Sequence, residues 1–293
     1  MKVFVTGGTG LIGRALVKRL IADGHDITVL TRQSLDSSET VTYIQAIGDL
    51  NAHQDIVINL AGAGLADRRW SPAYKEEIRA SRIDLTKALV SRLRNIGMPD
   101  LLISGSAIGF YGESKERDFS ETDAVGSGFS AELCRDWEAS VSDIGSDSTR
   151  CVLLRTGVVL DRALGAFPQM TQSFRFGLAS WMGQGDQWLS WIHLADMVGA
   201  IMHCIQNEAV SGPVNMTAPN PVTHRAFSDE VRNTTTTFMG MGVPGWVMRL
   251  MVGEMADELL LTGQQVMPTK LLSTGYEFRF GDLKAAIADL EAR

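Results

Sequence analysis

The segment Lys2–Gly13 constrains this chain more than any other. An apolar run, Val3-Phe4-Val5, delivers Thr6-Gly7-Gly8-Thr9-Gly10 into Leu11-Ile12-Gly13, where Ile12, Leu16 and Leu20 recur at helical spacing. A buried strand that enters a glycine turn and then a helix suits a dinucleotide. Gly7 supplies the positive φ of the tight turn, Gly10 lets the backbone approach a pyrophosphate, and Gly13 lets the helix pack on the strand. The phosphates then face a helix N-terminus, whose N–H groups and macrodipole favour anions, with Thr9, Leu11 and Ile12 beside the glycines. Asp23-Gly24-His25 stops the helix before the strand Asp26–Leu30, completing a βαβ unit. The competing reading is a turn whose glycines serve packing alone.

The end of the second strand discriminates between dinucleotides. An NAD site places Asp or Glu there for the ribose hydroxyls, and a carboxylate repels a 2′-phosphate. This chain has Thr31-Arg32-Gln33. A guanidinium pairs with phosphate through two parallel hydrogen bonds and Thr31 adds a hydroxyl, so NADP(H) is the expected cofactor; a solvent-facing Arg32 is the alternative.

Composition narrows the class without naming an activity. The net charge of −7 and the lack of a basic stripe argue against nucleic acid as a partner. Cys134, Cys151 and Cys204 are too scattered for a disulfide framework and the five His show no ligand spacing, so no metal is expected and a reducing cytoplasm is. The chain opens on its first core strand rather than on a basic region and an apolar signal core. Its most apolar late segment, Val243–Leu261, is interrupted by Pro244, Arg249, Glu254, Asp257 and Glu258, a pattern for an amphipathic helix pair and not for a membrane span. Met248, Met251 and Met255 in that segment read as core filler or as pocket lining.

Strand and helix patterns alternate through the first half. The run Asp55–Gly62 is a buried strand ending in small residues, so Leu60, Ala61 and Gly62 at its carboxyl end leave room for a cofactor ribose. Ser71-Pro72 starts one long helical pattern through Ile78, Ile83 and Leu89; the strand Leu101–Ser106, a helix around Ala131–Val141 and the strand Cys151–Arg155 follow. The region 165–188 reads as a covering loop with short helices, Trp191–Met197 as a helix start, Pro213–Met216 as a late strand and Tyr276–Phe280 as a final one. The fold expected is α/β, a Rossmann-type doubly wound parallel sheet with a smaller, mostly helical C-terminal substrate domain. Residues 1–163 with 188–220 form the first unit, and 164–187 with 221–293 the second.

Thr6–Gly13, Asn59-Leu60-Ala61-Gly62, Ser104-Gly105-Ser106-Ala107 leading to Phe110-Tyr111-Gly112, and Trp191–Asp196 together resemble the extended short-chain dehydrogenase/reductases. Cys134–Glu138, Met216–Pro221 and Gly253–Asp257 are similar to motifs of a subgroup called nucleoside-diphosphate-sugar epimerase-like, some members of which carry a cell-division-inhibitor name. The resemblance implies a Ser or Thr that holds the substrate oxygen, a Tyr that transfers its proton and a Lys four residues later. Ser106 matches the first position, whereas Ser130 stands in the place of Tyr and Cys134 in that of Lys. It also implies Glu77 and Arg82 as ligand contacts, against the plainer reading of an exposed Arg/Glu face.

Candidates for the missing proton-transfer group are Tyr111, otherwise a loop anchor, and Glu121, Glu132, Cys134 and His193. Arg155 reads as an anion contact or as a cap for a neighbouring loop. Two functions remain open: an NADP(H)-dependent epimerase or oxidoreductase acting on a small or nucleotide-sugar-like molecule, or a catalytically weak NADPH-binding sensor. Nothing in the pattern fixes an oligomeric state.

Overall fold

The computed structural model describes residues 1–142, 144 and 149–292. Seven strands form the central sheet: β1 (Lys2–Thr6), β2 (Asp26–Leu30), β3 (Val41–Ile44), β4 (Ile56–Asn59), β5 (Leu101–Ala107), β6 (Arg150–Thr156) and β7 (Gly212–Met216). Their order is β7-β6-β5-β4-β1-β2-β3, with every pair parallel. The chain runs outward from β1 in one direction and then from β4 in the other. The reversal leaves a crevice outside the carboxyl ends of β1 and β4, the place where open α/β sheets bind ligands.

Alternation along the strands assigns the two faces. Val3, Val5, Ile56 and Ile58 pack against α1 (Leu11–Ala22) and a helix at Leu194–Gln206, through Leu16, Leu20, Met197 and Ile201. Phe4, Val57 and Leu102 point the other way and meet Leu89, Leu93 and Val141. Both faces are therefore covered, as the continuous apolar composition of these strands requires.

The expected long helix after Ser71 is two helices, α2 (Pro72–Ala80) and α3 (Ile83–Ile96). Ser71 caps α2, its Oγ accepting from the Tyr74 N–H at 3.2 Å. At the other end the Ser81 hydroxyl donates to the Ile78 carbonyl at 3.0 Å and accepts from the Ala63 N–H at 2.9 Å. A side chain that competes in this way for backbone partners breaks the ladder and turns Arg82 out of the helical line. The next helix on this face, α4, spans Phe129–Ser142.

The covering region is less helical than expected. Leu178–Met182 pairs in parallel with Met239–Val243, a strand disguised by Gly240 and Gly242. Trp191–His193 is a strand beside Val158–Leu160, and the helix there begins only at Leu194. Tyr276–Phe280 is not a strand, because its polar groups turn inward to a buried carboxylate. The N–H groups of Arg279 and Phe280 donate to Asp196 at 2.8 Å each, and the Tyr276 hydroxyl donates to it at 3.1 Å. Met248 and Met255 are core filler, whereas Met251 is 65% exposed. Among the described residues no helix is long and apolar enough to cross a membrane.

Candidate functional site

At the end of β1 the turn admits only glycine at two positions. Gly7 has φ +69°, and a Cβ there would lie 2.8 Å from the Leu60 carbonyl; a Cβ at Gly13 would lie 2.1 Å from the Gly7 oxygen. Gly10 is different. Its backbone is extended, it is exposed, and its N–H donates to Gly7 at 3.0 Å, so bulk at Gly10 would fill the space over the turn rather than strain it. No side chain caps α1. A glycine cradle leading to a helix N-terminus without a side-chain cap fits a pyrophosphate.

The floor beside this turn is a row of polar strand ends, level across β1, β4 and β5, where Thr6 pairs with Asn59 and Asn59 with Ser104. Thr6 Oγ1 donates to Asn59 Oδ1 at 2.6 Å, and Asn59 Nδ2 donates to Thr86 at 2.8 Å and to Ser104 at 3.4 Å. The Thr6 hydroxyl also accepts from the Ala61 N–H at 3.1 Å, which fixes the course of Leu60, Ala61 and Gly62 along the crevice. At the far end of β2 Thr31 is buried and Arg32 is exposed to solvent.

From Ile12 and Leu60 a cleft of about 420 Å³ runs past Ser106 to the covering region. Ser106, 4% exposed, donates through Oγ to Glu138 Oε1 at 2.6 Å. Arg155 grips the same carboxylate with two nitrogens, each at 2.9 Å, and its third nitrogen donates to the Tyr111 hydroxyl at 3.0 Å. The Tyr111 hydroxyl in turn donates to Asn215 Oδ1 at 2.6 Å. These positions favour the plainer of the two readings for each residue. Arg155 is spent on protein oxygens, and Tyr111 is a buried anchor beneath the cleft, its phenol pushed above the ordinary value by burial. Neither lines the cleft.

Of the other candidates, Glu121 accepts the N–H groups of Asn215 and Lys270, both at 3.1 Å, and Glu132 is exposed. His193 caps its helix, Nδ1 accepting from Ala195 at 3.1 Å. Ser130 and Cys134 do line the cleft, and burial pushes the Cys134 thiol up to about 11, so it stays protonated near neutral pH.

Arg82 also reaches the cleft. Its guanidinium stacks 5.3 Å from the centre of the Trp137 ring and lies beside Gly62, where a Cβ would come within 2.9 Å of it. Burial lowers its pKa, and no carboxylate pairs with it among the described residues. Glu77 is not its neighbour: it is exposed, off the cleft and paired with Arg68 at 3.1 Å.

The residues of the opposite wall were not singled out in the sequence. Trp70, Phe129 and Leu133 meet Leu259 and Leu260 across the cleft, and His224 lines it from the same covering side. Glu258, in a π-helical turn at Ala256–Leu260, accepts from the Phe129 and Ser130 N–H groups at 3.2 and 3.1 Å, placing a negative charge on the N-terminus of α4. The only local signal for this wall was the proximity of Glu258 to the Gly253–Asp257 motif.

Residues 3–135 match the NAD dependent epimerase/dehydratase family, and residues 243–290 match a domain of unknown function. Over 289 residues the chain is 37% identical to an epimerase family protein of Mycobacterium bovis, covering 97% of this chain and 96% of that one. The chain belongs to the epimerase family. Among solved structures it is similar to human epimerase family protein SDR39U1 (isoform 2) with NADPH, at 31% identity, 99% coverage of both chains and a TM-score of 0.92. It also resembles the nucleoside-diphosphate sugar epimerase of Corynebacterium glutamicum, at 31% identity and a TM-score of 0.79, covering 98% of this chain and 57% of that one. Within the epimerase family it falls in the atypical, SDR39U1-like subgroup of extended short-chain dehydrogenase/reductases.

Proposed function

We propose that this epimerase family protein binds NADP(H) and acts as an epimerase or oxidoreductase on a small substrate held against Ser106. The observation that carries this reading is the glycine cradle of Gly7, Gly10 and Gly13, opening at an uncapped helix into a cleft with Ser106 on its floor. The NADPH named with human SDR39U1 supports the cofactor, and the name of the Corynebacterium relative supports a nucleotide-sugar-like molecule as one version of the substrate. In this reading Gly7, Thr9, Gly10, Leu11 and Ile12 hold the diphosphate, and Thr31 and Arg32 the 2′-phosphate. Leu60, Ala61 and Gly62 border the ribose, with Arg82 as the nearby cation; Glu77 joins only by leaving Arg68.

Bound nicotinamide supplies the hydride donor or acceptor. Ser106, with its proton committed to Glu138, offers its oxygen to a substrate hydroxyl, while Arg155 and Tyr111 hold Glu138 in place. Residues 1–163 with 188–220 serve the cofactor, and 164–187 with 221–293 cover the substrate. The three free thiols suit a reducing cytoplasm.

A second reading, a catalytically weak NADPH-binding sensor such as a regulator of cell division, is favoured by Ser130 and Cys134 at the places of Tyr and Lys. A thiol held at about 11 provides no cation. Arg32→Ala tests the cofactor: NADPH affinity falls by about 1–3 kcal/mol and NADH affinity is unchanged, as for loss of a charge-assisted contact. Equal losses in calorimetry would remove Arg32 from phosphate recognition. Oxidation of NADPH in the presence of carbonyl compounds separates the enzyme from the sensor.

A further inference from the structure

The polar side chains along the covering wall of the cleft have partners within the protein. The Ser190 hydroxyl donates to the Gln264 carbonyl at 2.8 Å and accepts from Val266 at 2.9 Å; Gln264 Nε2 donates to Ile108 at 2.9 Å; Glu258 caps α4. His224 stands apart. The two-stranded ladder of Trp188–Leu189 with Val222–Thr223 brings it to the cleft, its N–H donates to Gln187 at 3.0 Å, and the residue is 7% exposed. Among the described residues no hydrogen bond or ion pair engages its ring, and burial alone shifts its titration. Ser228 lies one turn further along the same helix, and its buried Oγ has no hydrogen-bond partner either. His224 lines the cleft and Ser228 does not, so the imidazole is the polar group at this end of the cleft that a ligand can engage.

The chemistry of that ligand follows from the surroundings. Burial lowers the pKa of His224 to about 4, so near neutral pH the ring is an uncharged imidazole with one N–H donor and one acceptor nitrogen. The cleft that His224 and Ser106 share is lined largely by apolar side chains, among them Phe129, Leu133, Leu259 and Leu260. The groove that adjoins the cleft at Ser130 and Glu258 also presents Glu113; its Glu254 pairs with Lys75 and its Asp257 with Arg249 at 2.9 Å, so Glu113 and Glu258 leave it net negative. A mouth of that sign repels a diphosphate, and a neutral imidazole offers a diphosphate no charge.

We propose that His224 is the substrate-recognition residue of this cleft, and that the substrate is a compact, largely apolar carbonyl or alcohol compound carrying an uncharged hydroxyl or amide group that bonds to the imidazole. This rests on the proposed catalytic reading for the position of Ser106, and it selects the small substrate over the nucleotide-sugar-like one.

Three probes test it on NADPH-saturated protein: 4′-hydroxyacetophenone, acetophenone and UDP-glucose, followed by saturation-transfer NMR and by the imidazole resonances of the protein. The hydroxylated ketone binds about tenfold more tightly than acetophenone, the gain from one satisfied hydrogen bond, and it shifts the His224 resonance. His224→Phe abolishes the difference, and His224→Gln, which keeps a donor and an acceptor, retains part of it. Thermal unfolding and NADPH titration of both variants establish that each is folded. UDP-glucose binding more tightly than either ketone overturns the proposal, as does equal binding of the two ketones or binding of neither. Failure of NADPH to bind defeats the cofactor reading alone, since the ketone titrations on cofactor-free protein still read His224.

Discussion

On the sheet side of the cleft Thr6, Asn59, Thr86 and Ser104 bind one another, and Ser106, Glu138, Arg155, Tyr111 and Asn215 form a second connected set. On the covering side Leu133, Leu259 and Leu260 present only hydrocarbon, and His224 presents a ring without a partner. The floor is thus a preorganised polar surface whose geometry is over-determined, and the cover selects by shape and by one unmade bond. Two arginines condense the same contrast. Arg155 is locked to a carboxylate behind the floor, and Arg82, at the edge where floor meets cover, has none.

The largest effect should come from breaking the floor. Glu138→Ala leaves the Arg155 guanidinium buried without its counter-charge and lowers stability by about 3–5 kcal/mol, read by urea or thermal unfolding. Glu138→Leu combined with Arg155→Met should recover much of that loss, because the penalty is the unpaired charge rather than the lost pair. Full loss in the double variant would mean that the network fixes the fold in some further way.

Gly10→Val acts on the ligand and not on the scaffold. Its extended backbone accepts valine, and the nearest atom to the new Cβ is the Gly7 oxygen at 3.3 Å, so the sheet stays folded. NADPH affinity should fall on the order of 100-fold or more, because the pyrophosphate loses its approach. Near-native affinity in calorimetry would move the phosphate site elsewhere. Smaller still, Ser106→Ala lowers turnover on any accepted substrate about 100-fold with NADPH affinity unchanged, the loss expected for one oriented polar group. Unaltered turnover would take Ser106 out of the chemistry and favour the sensor.

The asymmetry of the two walls also explains what could be read in the sequence. The glycine turn, the buried strands and the polar residues at their ends are local features: Thr6, Asn59 and Ser104 each close an apolar run, and the level at which they meet follows from a parallel sheet. Ser106, two residues beyond Ser104, was singled out by the resemblance to the dehydrogenase/reductases and not by this pattern. The break at Ser81–Arg82 was not legible, because helical periodicity continues across it and only the competition by the Ser81 hydroxyl ends the helix. The roles of Tyr111 and Arg155 depend on Glu138 and Asn215, partners far off in sequence, so residue type suggested chemistry where tertiary bonding made an anchor. His224 left no trace in the pattern, since an isolated histidine at a helix start is ordinary and only its surroundings distinguish it.

The cap on α4 has a bearing on how the molecule is made. The bonds from Glu258 to Phe129 and Ser130 join residues 129 and 128 positions apart. During translation the N-terminus of α4 therefore emerges long before the carboxylate that covers it, and β7 at Gly212–Met216 also follows late. The apolar lining contributed by Trp70, Phe129 and Leu133 waits on the same late segment, Leu259 and Leu260. Until that segment is made, the hydrocarbon of Trp70, Phe129 and Leu133 lacks its cover, the kind of exposed apolar surface that favours association between chains.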